Sequence, residues 1–310
     1  MAGYVNCASV DSLISASQWT NRGKTSQQVI KSHIENTKNS STVAREQIKT
    51  DLDVPYGPGK NQKIDFYFAD IEKPWRSIFI FIHGGLWQEG CRQDYGFVAR
   101  GVAQKEMTTA VVGYDLAPDV NMKTIVSEIV NALNFILSRA EKHEPRPQLW
   151  LSGHSAGAHL ALVALLKSTL YVQKYVKGLV LVSGIYDLEK IQNSYAAKEL
   201  KLTVDDAVTY SPLRIVHQQR DKKLLQNFKF FIAVANYESP LYRSQSQEIY
   251  DSLITLGLAD NVRYSTYKND DHFSIVEQMK SADNQLTQDF LQFISSNILN
   301  GDCQSVNNPV

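Results

Sequence analysis

The sequence predicts an α/β fold: a mostly parallel central sheet with helices on both faces and a lid inserted late in the chain. Three observations predict it. Short, nearly continuous apolar runs recur at Ile78–Ile82, Thr109–Tyr114, Leu149–Ser152, Leu179–Ser183, Phe228–Ala235 and Val262–Tyr267, as strands buried on both faces should. Segments with helical spacing alternate with them, which is the mark of a parallel sheet joined by crossover helices. The rhythm then breaks over residues 187–227, where Ile191, Leu200, Leu202 and Val204 are scattered through polar sequence. An insertion over the C-terminal edge of the sheet reads in this way.

The elements follow in order. Residues 1–50 are polar; Val29, Ile30 and Ile34 indicate one helix, and Val43 and Ile48 a second, in an N-terminal helical extension packed on the body. A turn at Tyr56-Gly57-Pro58-Gly59 precedes the alternating run Ile64–Phe68, an outer strand. Helices are predicted over 92–105, 122–137, 156–169, 244–257 and 275–298. The second has apolar residues at 122, 125, 126, 129, 130, 133, 136 and 137, one face of a helix. The catalytic body is expected to be one domain over 51–298, with the lid at 187–227 and a flexible tail over 299–310.

The chain has 310 residues, enough for a full core without disulfides or metals. A formal net charge of +0 leaves no electrostatic footprint for nucleic acid or an anionic membrane. The short mixed stretch Arg220-Asp221-Lys222-Lys223 reads as solvated surface. The 3 cysteines, Cys7, Cys91 and Cys303, are far apart and odd in number, which points to a reducing compartment and away from a disulfide framework. No basic n-region with an apolar stretch opens the chain, and no apolar run approaches the ~20 residues of a membrane span. A cytoplasmic protein with a small-molecule substrate is expected, with no nucleic-acid or membrane partner and a homodimer left open.

Chemistry enters at Gly153-His154-Ser155-Ala156-Gly157, a G-x-S-x-G pattern directly after the strand Leu149–Ser152. Such a turn holds its serine in a strained conformation at the start of a helix, and side chains on the two glycines would clash. Serine is a poor nucleophile at neutral pH, so it needs a base, the base an orienting acid, and the developing oxyanion donors. In the α/β-hydrolase fold these follow in the order serine, acid, histidine, each after a strand. His217 and His272 lie C-terminal to Ser155. His217 sits in a polar run and reads as a solvated surface histidine, whereas His272 follows the last strand. Glu238 follows the strand Phe228–Ala235 and is the candidate acid; Asp187 is the runner-up, with helix N-capping as its plainer role. Asp270 and Asp271 are too near His272 along the chain to fold back easily onto its ring. His154 and His159 come too early and read as packing residues.

His83-Gly84-Gly85-Leu86-Trp87 follows the strand Ile78–Ile82. Two glycines there allow backbone N–H groups of Gly84 and Gly85, with that of Ala156, to form an oxyanion hole. Leu86 and Trp87 are the candidate substrate-contacting residues, and His83 belongs to the motif. The chain has no H-E-x-x-H, C-x-x-C, Walker A or post-strand G-x-G-x-x-G, so neither a metal nor another cofactor is expected. Cys91, near the glycine turn, reads as structural.

With these residues the chain resembles the kynurenine formamidases (arylformamidases), in the hormone-sensitive-lipase-like branch of the α/β hydrolases. The resemblance spans about residues 55–297 and rests on His-Gly-Gly-Leu-Trp-Gln at 83–88, Gly-Tyr-Asp-Leu-Ala-Pro at 113–118, Gly-His-Ser-Ala-Gly-Ala-His-Leu at 153–160 and Ser-Gly-Ile-Tyr-Asp-Leu at 183–188. The segments 238–246 and 271–277 are also similar. Two departures stand out: the family commonly has tyrosine where Leu86 stands and aspartate where Glu238 stands. The resemblance implies hydrolysis of N-formylkynurenine to kynurenine and formate, with Ser155 as nucleophile, His272 as base and Glu238 as its partner. A general short-acyl carboxylesterase is the alternative, which the lid would decide; a catalytically weak binding relative is a third, suggested by the two departures.

Overall fold

A computed structural model describes residues 8–218 and 224–302. Arg220-Asp221-Lys222-Lys223, Cys7, Cys303 and the end of the expected tail lie outside the described residues. The sheet has 8 strands: β1 (Lys49–Pro55), β2 (Lys63–Phe68), β3 (Ser77–Ile82), β4 (Thr108–Val112), β5 (Gln148–His154), β6 (Val176–Val182), β7 (Lys229–Tyr237) and β8 (Val262–Asp271), in the order β1-β2-β4-β3-β5-β6-β7-β8. The pairs β1–β2 and β2–β4 are antiparallel, and the other pairs are parallel.

The apolar runs become central strands because side chains alternate across the sheet and both faces are covered. Ile78, Ile80, Ile82, Leu149, Leu151, Leu179, Leu181, Phe230 and Ile232 enter one core, with the helices Met122–Ala140 and Ala156–Lys167. Phe79, Phe81, Trp150, Val180, Val182, Phe231 and Ala233 enter the other, against the helices Val98–Val102 and Gln285–Asp302. The shared carboxyl edge of these strands carries the loops that build the site, as open parallel sheets generally arrange.

Several expectations need correction. Residues 26–47 form one helix, not two, so Val43 continues the helix that holds Val29. The helical extension ends at Gln47, beside the boundary expected at residue 50. It runs into β1, an edge strand whose polar, half-exposed sequence lacks an apolar run. The segment predicted as a helix over 92–105 breaks into Arg92–Tyr95, Val98–Val102 and Ala103–Lys105. At the break, Phe97 N–H donates to Ser41 Oγ at 3.1 Å. The helix predicted over 275–298 is two: His272–Glu277 and Gln285–Asp302. Between them Asn284 Nδ2 and Thr287 Oγ1 both donate to the Gln278 carbonyl, at 2.7 and 3.0 Å. The expected tail from 299 therefore begins inside a helix that runs to Asp302.

The insertion at 187–227 folds into short helices, Tyr195–Glu199, Val204–Thr209 and Pro212–Gln218. It is seated on the body: Leu213 N–H donates to the Tyr186 carbonyl at 2.9 Å, and Gln88 Nε2 to the Ala196 carbonyl at 3.2 Å. Its scattered apolar residues explain this, since Ile191 and Leu200 are fully buried while Val204 faces solvent. Among the described residues no helix is long and apolar enough to cross a membrane.

Candidate active site

Ser155 sits between the last residue of β5 and the first residue of the helix Ala156–Lys167, with φ 56° and ψ −122°. Few non-glycine residues accept that conformation, and the surrounding packing enforces it. A Cβ on Gly157 would lie 2.0 Å from the Ile82 carbonyl oxygen, and one on Gly153 would lie 2.3 Å from the Gly157 carbonyl. The glycines are there for close approach; neither has a positive φ. Ala156 opens the helix, so its N–H has no acceptor within the helix.

The glycine turn lies against this elbow. A Cβ on Gly84 would lie 3.1 Å from Ser155 Cβ and 2.8 Å from the His154 carbonyl oxygen. Gly85, at φ 112°, turns its carbonyl to accept from the N–H groups of Gln88 and Glu89, each at 2.9 Å. Leu86 and Trp87 also have positive φ, at 50° and 62°. His83 is buried, stacks on Tyr114 with centroids 4.4 Å apart, and donates from Nδ1 to the Gly84 carbonyl at 2.8 Å. Burial lowers its pKa to about 4, so its ring is neutral scaffolding for the turn.

Trp87 is placed differently from the expectation of a substrate-facing ring. It is fully buried, and its Nε1–H donates to His159 Nδ1 at 3.2 Å. His159 in turn donates from Nε2 to the Tyr210 carbonyl of the insertion at 2.8 Å. These two bonds set the His159 tautomer and tie together the glycine turn, the elbow helix and the insertion. Leu86 is partly exposed beside them.

The base and acid candidates meet. His272 Nδ1 donates to Glu238 Oε2 at 2.9 Å and to Oε1 at 3.0 Å, and the Glu238 side chain is fully buried. The extra methylene of glutamate is accommodated, and the β7–β8 register shifts between Ala235 and Tyr237, just before Glu238. The carboxylate also accepts from Ser239 N–H at 3.3 Å. The backbone carbonyl of His272 accepts from His154 Nε2 at 2.8 Å. Burial first, and the neighbouring His272 second, hold the His154 pKa well below its usual value.

Sequence reasoning missed Tyr242. Its buried ring lies 4.5 Å from that of His272, and its hydroxyl donates to the Ile14 carbonyl at 3.1 Å. Tyr242 thus packs directly against the candidate base. The pattern Glu238-Ser239-Pro240-Leu241-Tyr242 was visible, but nothing in it says which face of the following helix meets the elbow. Thr20 and Arg22 were missed as well; both hydrogen-bond the carboxylate of Asp271.

The remaining candidates stand apart. Asp187 accepts from Glu189 N–H at 3.1 Å, as a turn-capping residue does. His217 is exposed and pairs with Ser252 Oγ at 2.8 Å. Asp271 caps its own helix, and Asp270 pairs with Gln278. Burial pushes the Cys91 thiol pKa up, which disfavours a thiolate. Among the described residues no group of three or more His, Cys, Asp or Glu side chains could hold a metal ion. A groove of about 740 Å³ lined by Trp19, Glu238, Arg243 and Tyr264 lies behind the acid, and Ser155 does not line it.

Comparison with known proteins bears on this geometry. Residues 79–268 match the family described as alpha/beta hydrolase fold. The chain is 38% identical over 283 residues to a kynurenine formamidase of Salmo salar, covering 90% of this chain and 94% of that one. It is 36% identical over 282 residues to a kynurenine formamidase of Danio rerio, with the same 90% and 94% coverage. The solved structure of an inhibited esterase B from Lactobacillus rhamnosis superposes with a TM-score of 0.70 at 18% identity, over 91% of this chain and 98% of that one, a likeness of fold. The strand order, the elbow and these extended matches together make the chain a member of the kynurenine formamidase family of α/β-hydrolase-fold proteins.

Proposed function

We propose that this hydrolase converts N-formyl-L-kynurenine and water to L-kynurenine and formate through a Ser155–His272–Glu238 triad. The observation that carries the reading is the fully buried Glu238 carboxylate on His272 Nδ1, beside a serine on a strained strand-to-helix turn. With Nδ1–H committed to Glu238, Nε2 of His272 holds the lone pair that a general base needs.

In the first step Ser155 Oγ attacks the formyl carbon while His272 Nε2 takes the hydroxyl proton. To do so the Ser155 hydroxyl donates to His272 Nε2, a bond that commonly tightens once substrate is bound. The negative charge that develops on the formyl oxygen is met by N–H groups of Gly84, Gly85 and Ala156. Glu238 stabilises the imidazolium. The carbon–nitrogen bond then breaks, and His272 gives its proton to the departing aryl amine. Water, deprotonated by His272, attacks the formyl-serine, and formate leaves as Ser155 regains its proton. Ser155 and His272 are each only 3% exposed, which suits a one-carbon acyl group better than a long one.

The test is side-by-side turnover of N-formylkynurenine and a short p-nitrophenyl ester by the purified protein. The proposal expects the formamide to have the larger kcat/KM. A larger value for the ester would make the protein a short-acyl carboxylesterase, and turnover of neither would make it a binding relative.

A further inference from the structure

We propose that the N-terminal extension is a clamp that positions the catalytic base, with Arg22 as its central residue; this rests on the reading of His272 as that base. His272 is the first residue of the six-residue helix His272–Glu277. A helix so short has almost no stability of its own. Where its ring points therefore depends on what holds the two ends.

Both ends are held by residues from the start of the chain. At the N-cap, Asp271 Oδ1 accepts from the backbone N–H groups of Phe273 and Ser274, at 3.0 and 2.8 Å. The same carboxylate receives Arg22 in a two-point pair, Nε to Oδ2 at 2.6 Å and Nη2 to Oδ1 at 2.7 Å, and Thr20 Oγ1 at 2.6 Å. At the far end, Glu277 Oε1 meets His33 Nδ1 at 2.8 Å and Oε2 accepts from Asn36 Nδ2 at 2.5 Å. Arg22 Nη2 also lies 3.6 Å from Glu277 Oε1, so one guanidinium spans the helix. The Asp271 side chain is fully buried, and that of Arg22 is 18% exposed. Burial alone would raise the Asp271 pKa, but the bonds from Arg22 and Thr20 prevail and hold it at about 2. The extension grips the acid loop too: the Leu13 carbonyl accepts from Ser239 Oγ at 2.5 Å, next to Glu238, and the Ile14 carbonyl from Tyr242.

A planar two-point fork fixes direction as well as distance, which a lysine cannot do. Arg22 touches neither substrate nor the reacting atoms, so it is a positioning residue. Displacing a catalytic group by about 1 Å can cost about 10²-fold in rate.

The experiment compares wild type with Arg22→Ala, Arg22→Lys and Thr20→Val. The readouts are kcat and KM for N-formylkynurenine and the rate at which a fluorophosphonate labels Ser155. Labelling needs the serine and its base but not the proposed substrate, so a wrong substrate would leave the clamp testable. Arg22→Ala is expected to lower kcat and the labelling rate together by about 10²-fold, with KM within about threefold. Millimolar guanidinium should recover part of both, because the vacated site is partly open to solvent. Arg22→Lys should fall between, and Thr20→Val should lose about 3–10-fold. If Arg22→Ala does not fold, Thr20→Val carries the test. Rates within twofold of wild type, or a loss that tracks the folded fraction by near-UV circular dichroism and ignores guanidinium, would overturn the proposal.

Discussion

The corner that holds Ser155 and the corner that holds His272 are built in opposite ways. The nucleophile corner is local. Gly153, Ser155 and Gly157 lie within five consecutive residues, and close backbone approach to Ile82 and to the adjacent glycine turn shapes them. The base corner is assembled from afar. Glu238, His272, Asp271, Tyr242, Ile14 and Arg22 come from three separate stretches of chain, tied by side-chain hydrogen bonds. The first is constrained by backbone sterics, the second by buried polar pairing. Sterics are written in contiguous glycines, whereas buried pairing is written in partners that only folding brings together.

The largest effects should show that the two corners act as one machine despite this difference. Ser155→Ala should cost ~10⁶-fold in kcat, His272→Ala nearly as much, and the double variant little more than either single. Multiplying losses in a kinetic comparison of the three would break the unit. Next comes the acid. Glu238→Gln should cost on the order of 10³–10⁴-fold in kcat, since the amide keeps the shape but removes the charge that stabilises the imidazolium. Glu238→Asp should be milder, and Asp187→Asn should leave kcat within about twofold, because Asp187 caps a turn elsewhere. A reversed pattern would move the acid to Asp187.

Acid should loosen the two corners in different pH windows. Around the elbow, burial lowers the pKa of His83 and of His159 to about 4. Their folded pKa values lie below the unfolded value near 6.5, so the unfolded chain takes up protons first. The stability they contribute is whole above about pH 6.5 and is lost as pH falls toward about 4, on the order of 3 kcal/mol for each. Asp271 shifts in the same direction but in a lower window: its pKa, held at about 2, makes its contribution present above about pH 4 and lost only as pH falls through about 2. Urea unfolding between pH 8 and pH 3 should therefore show its main decline between about 6.5 and 4, a slope that His159→Gln flattens. A flat profile in that window would sink the assignment of neutral buried histidines. The smallest effect is expected at His217: it is exposed and pairs with Ser252, so its replacement by alanine should leave kcat unchanged.

Much of the site was legible before folding because each part carries a local signature. A serine between glycines after an apolar run, a double glycine after another, a histidine after the last strand and a carboxylate after the strand before it all follow from chain order. The parts most easily misjudged were those whose neighbours are distant. Trp87 reads as a surface for substrate, yet its indole is buried against His159. Residues 1–50 read as a polar appendage, yet Thr20 and Arg22 reach the residue beside His272. Polar residues carry no periodicity that names a partner, so neither contact could be read along the chain.

The sequence by itself determined the alternation of strands and helices and the serine-bearing elbow, because short apolar runs and closely spaced glycines act over a few residues. The tertiary structure alone decided that the longer Glu238 still reaches His272, that Tyr242 packs against the His272 ring, and that the start of the chain grips Asp271 beside it. Those outcomes depend on distances between separate segments of chain, 34 residues apart for Glu238 and His272 and 249 for Arg22 and Asp271, which are set by how the sheet, its helices and the extension pack and not by any single stretch of residues.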